Sequence, residues 1–107
     1  MIQQIRIGPL VYQVVEVERF AEPDDNGRYT RYYGQIDYGE QVIRLEANMS
    51  PERKWLTLWH EIVHALMEQA GLNQHDEQVV TILGYGIPAV LQDNPWLGEE
   101  PARDPQP

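Results

Sequence analysis

The chain has 107 residues, with 17 acidic against 8 basic side chains, a formal net charge of −9 and no cysteine. This balance argues against binding a nucleic-acid backbone or an anionic membrane surface, since both need clustered Lys and Arg. The missing cysteine excludes a disulfide frame, Cys-ligated zinc or iron–sulfur, and a thiol nucleophile.

Residues 2–7 alternate in polarity and read as a short strand before Gly8-Pro9. Residues 10–19 are rich in β-branched side chains and read as a second strand. Glu22-Pro23-Asp24-Asp25-Asn26-Gly27 is turn chemistry, because Pro fixes φ while Asn and Gly tolerate positive φ. Residues 29–37 are aromatic and β-like, Asp37-Tyr38-Gly39-Glu40 forms a hairpin turn, and residues 41–46 return. The tyrosines Tyr29, Tyr32, Tyr33 and Tyr38 are read as sheet residues. Together these segments predict a small antiparallel sheet of three or four strands.

Ser50-Pro51 then opens a helix, with Ser as N-cap and Pro at the first helical position, and Gly71 closes it. Its expected apolar arc is Trp55, Leu56, Trp59, Ile62, Val63, Leu66, Met67 and Ala70. A second helix starts near His75 or Asp76 and runs to about residue 92, with Val79, Val80, Leu83, Ile87, Val90 and Leu91 as its apolar arc. Pro88 is expected to kink or split it. Residues 98–107 hold three prolines and no large apolar side chain, which predicts a disordered tail after a single domain over residues 1–97. The fold class is therefore α+β: a sheet, then two packed helices. No apolar run approaches the ~18–20 residues of a membrane span, and the N-terminus has no basic-then-apolar leader. A cytoplasmic location is expected.

The first helix carries His60-Glu61-Ile62-Val63-His64, the pattern His-Glu-x-x-His. Residues four apart on a helix differ by about 40° in direction and about 6 Å along the axis. Both imidazoles can then reach one ion at about 2.0–2.1 Å. Glu61, on the adjoining flank, can approach a water without being a ligand, which is the arrangement of a metal-assisted peptidase. Arg53 and Thr57 share the margin of the apolar arc with both histidines, so that margin is expected to face a cleft. The bland alternative is two partly exposed helix histidines with no ion.

A catalytic set needs a third protein ligand. An antiparallel second helix would bring its first turn back over His64. Glu77 is the choice there, in line with Thr81, Gly84 and Pro88, whose small size lets the helices approach. Its structural alternative is an acid favoured by the helix dipole. His75 is the runner-up ligand, and Asp76 is better suited to a cap. Glu68 is expected to be solvated. Tyr85 is a candidate donor to a developing oxyanion, with packing at the domain edge as the plainer reading.

Ile43-Arg44-Leu45-Glu46, the loop to Ser50-Pro51-Glu52-Arg53, and Leu58-Trp59-His60-Glu61-Ile62-Val63-His64-Ala65-Leu66 resemble the ImmA/IrrE-type metallopeptidase domain over about residues 41–91. The resemblance implies a zincin-like fold of phage or bacterial type, a bound Zn²⁺, a Glu ligand from the second helix, and protein substrates that in this family are often DNA-binding repressors. The family's second-helix pattern, Glu-Ala before an Asn and an aromatic, is here Glu77-Gln78-Val79-Val80. The leading expectation is a zinc-dependent endopeptidase with metal ligands His60, His64 and Glu77, Glu61 as general base, and no direct nucleic-acid or membrane partner. Residues 42–45 are expected to offer the sheet edge to substrate. The rivals are a catalytically silent protein-binding module and a metal-free structural helix pair.

Overall fold

The computed structural model describes residues 3–18, 21–23, 29–31 and 33–99, with the backbone alone for 21–23 and 29–31. In chain order the elements are β1 (Gln4–Ile7), β2 (Leu10–Val17), β3 (Ala21–Pro23), β4 (Tyr29–Arg31), β5 (Gly34–Asp37), β6 (Val42–Glu46), α1 (Pro51–Gln69), α2 (Glu77–Asp93) and a short 3₁₀ turn, Pro95–Gly98. The fold class is α+β. Most of the predicted turn at 22–27, Tyr32 and residues 100–107 of the expected tail lie outside the described residues. Among the described residues no helix is long and apolar enough to cross a membrane.

The main sheet has the order β1-β2-β6-β5, while β3 and β4 form a separate antiparallel pair. It differs from the expectation in being mixed. β1–β2 and β5–β6 are antiparallel, but β2 and β6 run parallel, with Val14 opposite Ile43 and Glu16 opposite Leu45. A parallel pair needs a long crossover, and the segment carrying β3, β4 and β5 supplies it. The predicted aromatic strand at 29–37 is split into β4 and β5, and Tyr33 sits in the bend between them.

Period-two alternation puts Ile7, Tyr12, Val14, Ile43 and Leu45 on one face, where they bury against Leu58, Ile62 and Ala65 of α1. Each such fully buried aliphatic side chain contributes roughly 1.5–3 kcal/mol. The buried stripe on α1 is displaced from the predicted arc, which held Ile62 and Val63 but neither Leu58 nor Ala65. A four-stranded sheet covers Leu58, Ile62 and Ala65, at spacings of four and three, and leaves Trp55 and Leu66 each 45% exposed.

Both ends of α1 follow from local chemistry. Ser50 Oγ accepts from the Arg53 N–H at 3.2 Å. Gly71, at φ +89°, lets the chain turn so that the Gly71 and Leu72 N–H groups donate to the Glu68 and Met67 carbonyls. Asp76 caps α2, accepting from Gln78 N and Val79 N. α2 is one continuous helix through Pro88, so the proline does not split it. Proline removes one backbone donor, and the turns on either side carry the helix across it.

Candidate metal centre

The two helices meet closely at one point. A Cβ added to Gly84 would lie 3.2 Å from His60 Cα and 3.4 Å from His60 N. Glycine at 84 therefore lets α2 lie on the backbone of α1 beside His60, and the tight 70–76 connection brings the first turn of α2 over His64. Glu77 then reaches both histidines: Oε2 lies 3.2 Å from His60 Nε2, and Oε1 lies 3.1 Å from His64 Nε2. The ligand atoms of His60, His64 and Glu77 all lie within 4.8 Å of one another.

This donor set fits a divalent ion. A tetrahedral centre with bonds of ~2.0–2.1 Å has ligand–ligand edges of roughly 3.3–3.4 Å, close to the two His–Glu separations. Two imidazoles and a carboxylate suit zinc, and they leave a fourth position open. The His64 side chain is only 13% exposed. Burial lowers its pKa, the charges of His60 and His75 lower it further, and Glu77 opposes them.

Glu61 is not in this triad. It is buried, at 6% exposure, and its carboxyl lies beside Gly34 at the start of β5. A Cβ on Gly34 would lie 3.4 Å from its Oε2 and 2.5 Å from Thr57 Cγ2, so the absence of a side chain at 34 is what allows β5 to pass this close to α1. Burial, and then the charge of Glu77, push the Glu61 carboxyl up to about 7. A cation bound nearby draws such a value back down.

A cavity of about 490 Å³ opens over these groups, lined by Tyr33, Gly34, Arg53, Leu56, Thr57, His60, Glu61, Gly84 and Tyr85. Of the helix margin predicted to face a cleft, Arg53, Thr57 and His60 line this cavity, whereas His64 is not among its lining residues. Tyr85 also lines it and is largely exposed. Sequence reasoning missed Tyr33 and Gly34. Tyr33 packs under the Arg53 guanidinium, 5.2 Å from ring centre to Cζ, and its place in a bend between two short strands carries no periodic signal.

The remaining candidates lie elsewhere. Asp76 is engaged as the α2 cap, and Glu68 is exposed. His75 stands behind His64, with its Nδ1 2.7 Å from His64 Nδ1, and is outside the triad. The sheet edge next to the cavity is β5, not the predicted residues 42–45. β6 is paired on both sides, to β2 and to β5.

A family model for a peptidase family, the IrrE N-terminal-like domain, matches residues 13–81, a span that runs from β2 into α2 and contains His60, Glu61, His64 and Glu77. Comparison with the curated proteins and with the solved structures gave no match. With well over half of its length matched, and with α1, the first turn of α2 and the His-His-Glu cluster inside that span, the chain belongs to the IrrE N-terminal-like peptidase family, a metallopeptidase-type domain.

Proposed function

We propose that the protein is a zinc-dependent endopeptidase that hydrolyses a peptide bond of a protein substrate, with Glu61 as general base. The observation that carries this reading is the placement of a buried carboxyl, Glu61, in the same cavity as His60, beside a His-His-Glu cluster of zinc-like spacing. His60, His64 and Glu77 would hold the ion, which supplies Lewis acidity for a water and for the scissile carbonyl.

The remaining steps fall to the chain's own residues. Glu61 takes a proton from the attacking water and passes it to the leaving amine, a role suited to a carboxyl whose affinity for protons has been raised. β5, residues 34–37, is the last strand in the order of the main sheet, where an extended substrate could be aligned, and Gly34 lets β5 pass close to Glu61. Tyr85 lines the opposite wall, where a phenol can donate to a developing oxyanion. The net charge of −9 favours a basic protein partner, of which a DNA-binding repressor in the cytoplasm is one kind.

The test is Glu61→Gln, assayed on an unfolded basic polypeptide with and without a chelator. The variant should keep its zinc and lose about 100- to 10,000-fold in hydrolysis. Parent-like cleavage by this variant would remove Glu61 from the mechanism. Tight retention of the polypeptide, uncut, by the zinc-loaded parent would favour a silent binding module instead.

A further inference from the structure

The Nε2 edge of His64 faces Glu77 Oε1 at 3.1 Å, and its opposite edge meets a second imidazole. His64 Nδ1 lies 2.7 Å from His75 Nδ1, and His75 Nε2 lies 2.8 Å from the Leu72 carbonyl oxygen. The His64 and His75 ring centroids are 4.9 Å apart with planes only 25° apart. Given the 2.7 Å nitrogen–nitrogen contact, the rings must lie end to end rather than face to face, so the contact runs nearly in the plane of both.

Three steps of hydrogen-bond chemistry follow. A carbonyl oxygen accepts and never donates, so His75 Nε2 carries a hydrogen and gives it to Leu72. Neutral His75 then has a bare lone pair at Nδ1. Two ring nitrogens this close need a proton between them, and His64 Nδ1 is left to supply it. Neutral His64 then has its lone pair at Nε2, so His75 works against Glu77 Oε1, 3.1 Å away, which would otherwise accept a hydrogen from that same nitrogen; a cation between Nε2 and Glu77 takes the place of that hydrogen. Both side chains are well shielded, at 8% for His75 and 13% for His64, so water competes little for either nitrogen. The nearest carboxylate to His75, Glu68 Oε2, is 3.9 Å from Nε2, beyond hydrogen-bond range.

We propose that His75 is a positioning residue that accepts the Nδ1–H of His64, anchors itself on the Leu72 carbonyl, and so holds His64 in the tautomer that presents Nε2 to a divalent cation. The proposal rests on the metal-centre reading above. The 70–76 connection then serves the centre twice, since the same short turn that delivers Glu77 also delivers the group that orients His64. Partners of this kind are typically worth 10- to 100-fold in metal affinity.

Nitrogen-15 NMR of the metal-free protein reads the His64 tautomer directly, and zinc titration reads the affinity. His75→Leu keeps volume but removes the acceptor, whereas His75→Asn keeps an acceptor oxygen near the Nδ1 position. We expect Nδ1–H at His64 in the parent. His75→Leu should lose that preference and bind zinc about 10- to 100-fold more weakly, and His75→Asn should restore most of both. The proposal is overturned if parent His64 carries its proton at Nε2, or if His75→Leu leaves tautomer and affinity unchanged, or if the Leu and Asn variants are equally impaired. Should His75→Leu not fold, the parent tautomer and the Asn variant still decide. A parent that takes up no zinc, yet holds Nδ1–H only with an acceptor at 75, supports the relay and sinks the metal-centre reading. Tight zinc binding whatever stands at 75 does the reverse.

Discussion

Single side chains in this protein acquire their chemistry from where the fold leaves them. Glu61 and Glu77 are both carboxylates, yet one is buried beneath a sheet edge and the other is 67% exposed at a helix start. The contrast is what the two proposed roles, proton carrier for Glu61 and ligand for Glu77, rest on. Tyr38, in the turn between β5 and β6, is held neutral by burial and by the negative charges of Glu68, Glu61 and Glu77, which push its pKa from 10.0 up to about 12. A raised folded-state value means that the folded form favours the neutral phenol. Its contribution to stability is whole below pH 10 and is lost as pH climbs toward 12. Urea unfolding across that range should show the alkaline loss flattened in Tyr38→Phe. Parallel curves for parent and variant would contradict it. At this scale His60, Glu61 and His64 were legible, because a spacing of four on a capped helix has a direct geometric meaning. His75 was not. As a turn residue it obeys no period, and nothing local distinguishes a ligand from the group behind one.

Elements place those side chains, and their ends proved easier to read than their neighbours. Ser50-Pro51 and Gly71 mark α1 because caps are local hydrogen-bond chemistry. The partner of each sheet strand is a long-range matter. Residues 42–45 are expected to offer the sheet edge, yet β6 pairs with β2 in parallel on one side and with β5 on the other. The approach of α2 to α1 depends on Gly84, whose missing side chain leaves room for the His60 backbone. Gly84→Val should force the helices apart at the centre, cost about 1–3 kcal/mol by overpacking, and weaken zinc binding through displacement of Glu77. Thermal melts and zinc titration check this together, and a variant as stable and as tight-binding as the parent would show that the contact can give. Pro88 shows the converse limit of local reasoning: a residue expected to kink or split α2 does not split it, and sits buried within one continuous helix.

At the scale of the whole molecule, a small core joins one face of a four-stranded sheet to one stripe of α1. Among the described residues, Val80 is the one large aliphatic side chain of α2 that is fully covered, while Val79, Ile82, Leu83 and Val90 are exposed. So α2 is held to the rest chiefly by its contact with α1, and an ion shared by His60, His64 and Glu77 would pin the two helices together. Zinc should therefore raise the stability of the entire chain by mass action, by about 2.7 kcal/mol at a free concentration 100 times its dissociation constant. Added chelator should reverse the gain. An unchanged melting temperature at saturating zinc would favour a structural helix pair without metal.

The centre itself is tested most directly by zinc titration of protein prepared without a histidine tag, parent beside Glu77→Ala. One ion per parent chain is expected, with binding at least about tenfold weaker once the α2 carboxylate is gone. A parent that binds no zinc, or a Glu77→Ala variant that binds as tightly as the parent, would contradict a metal held between the two helices.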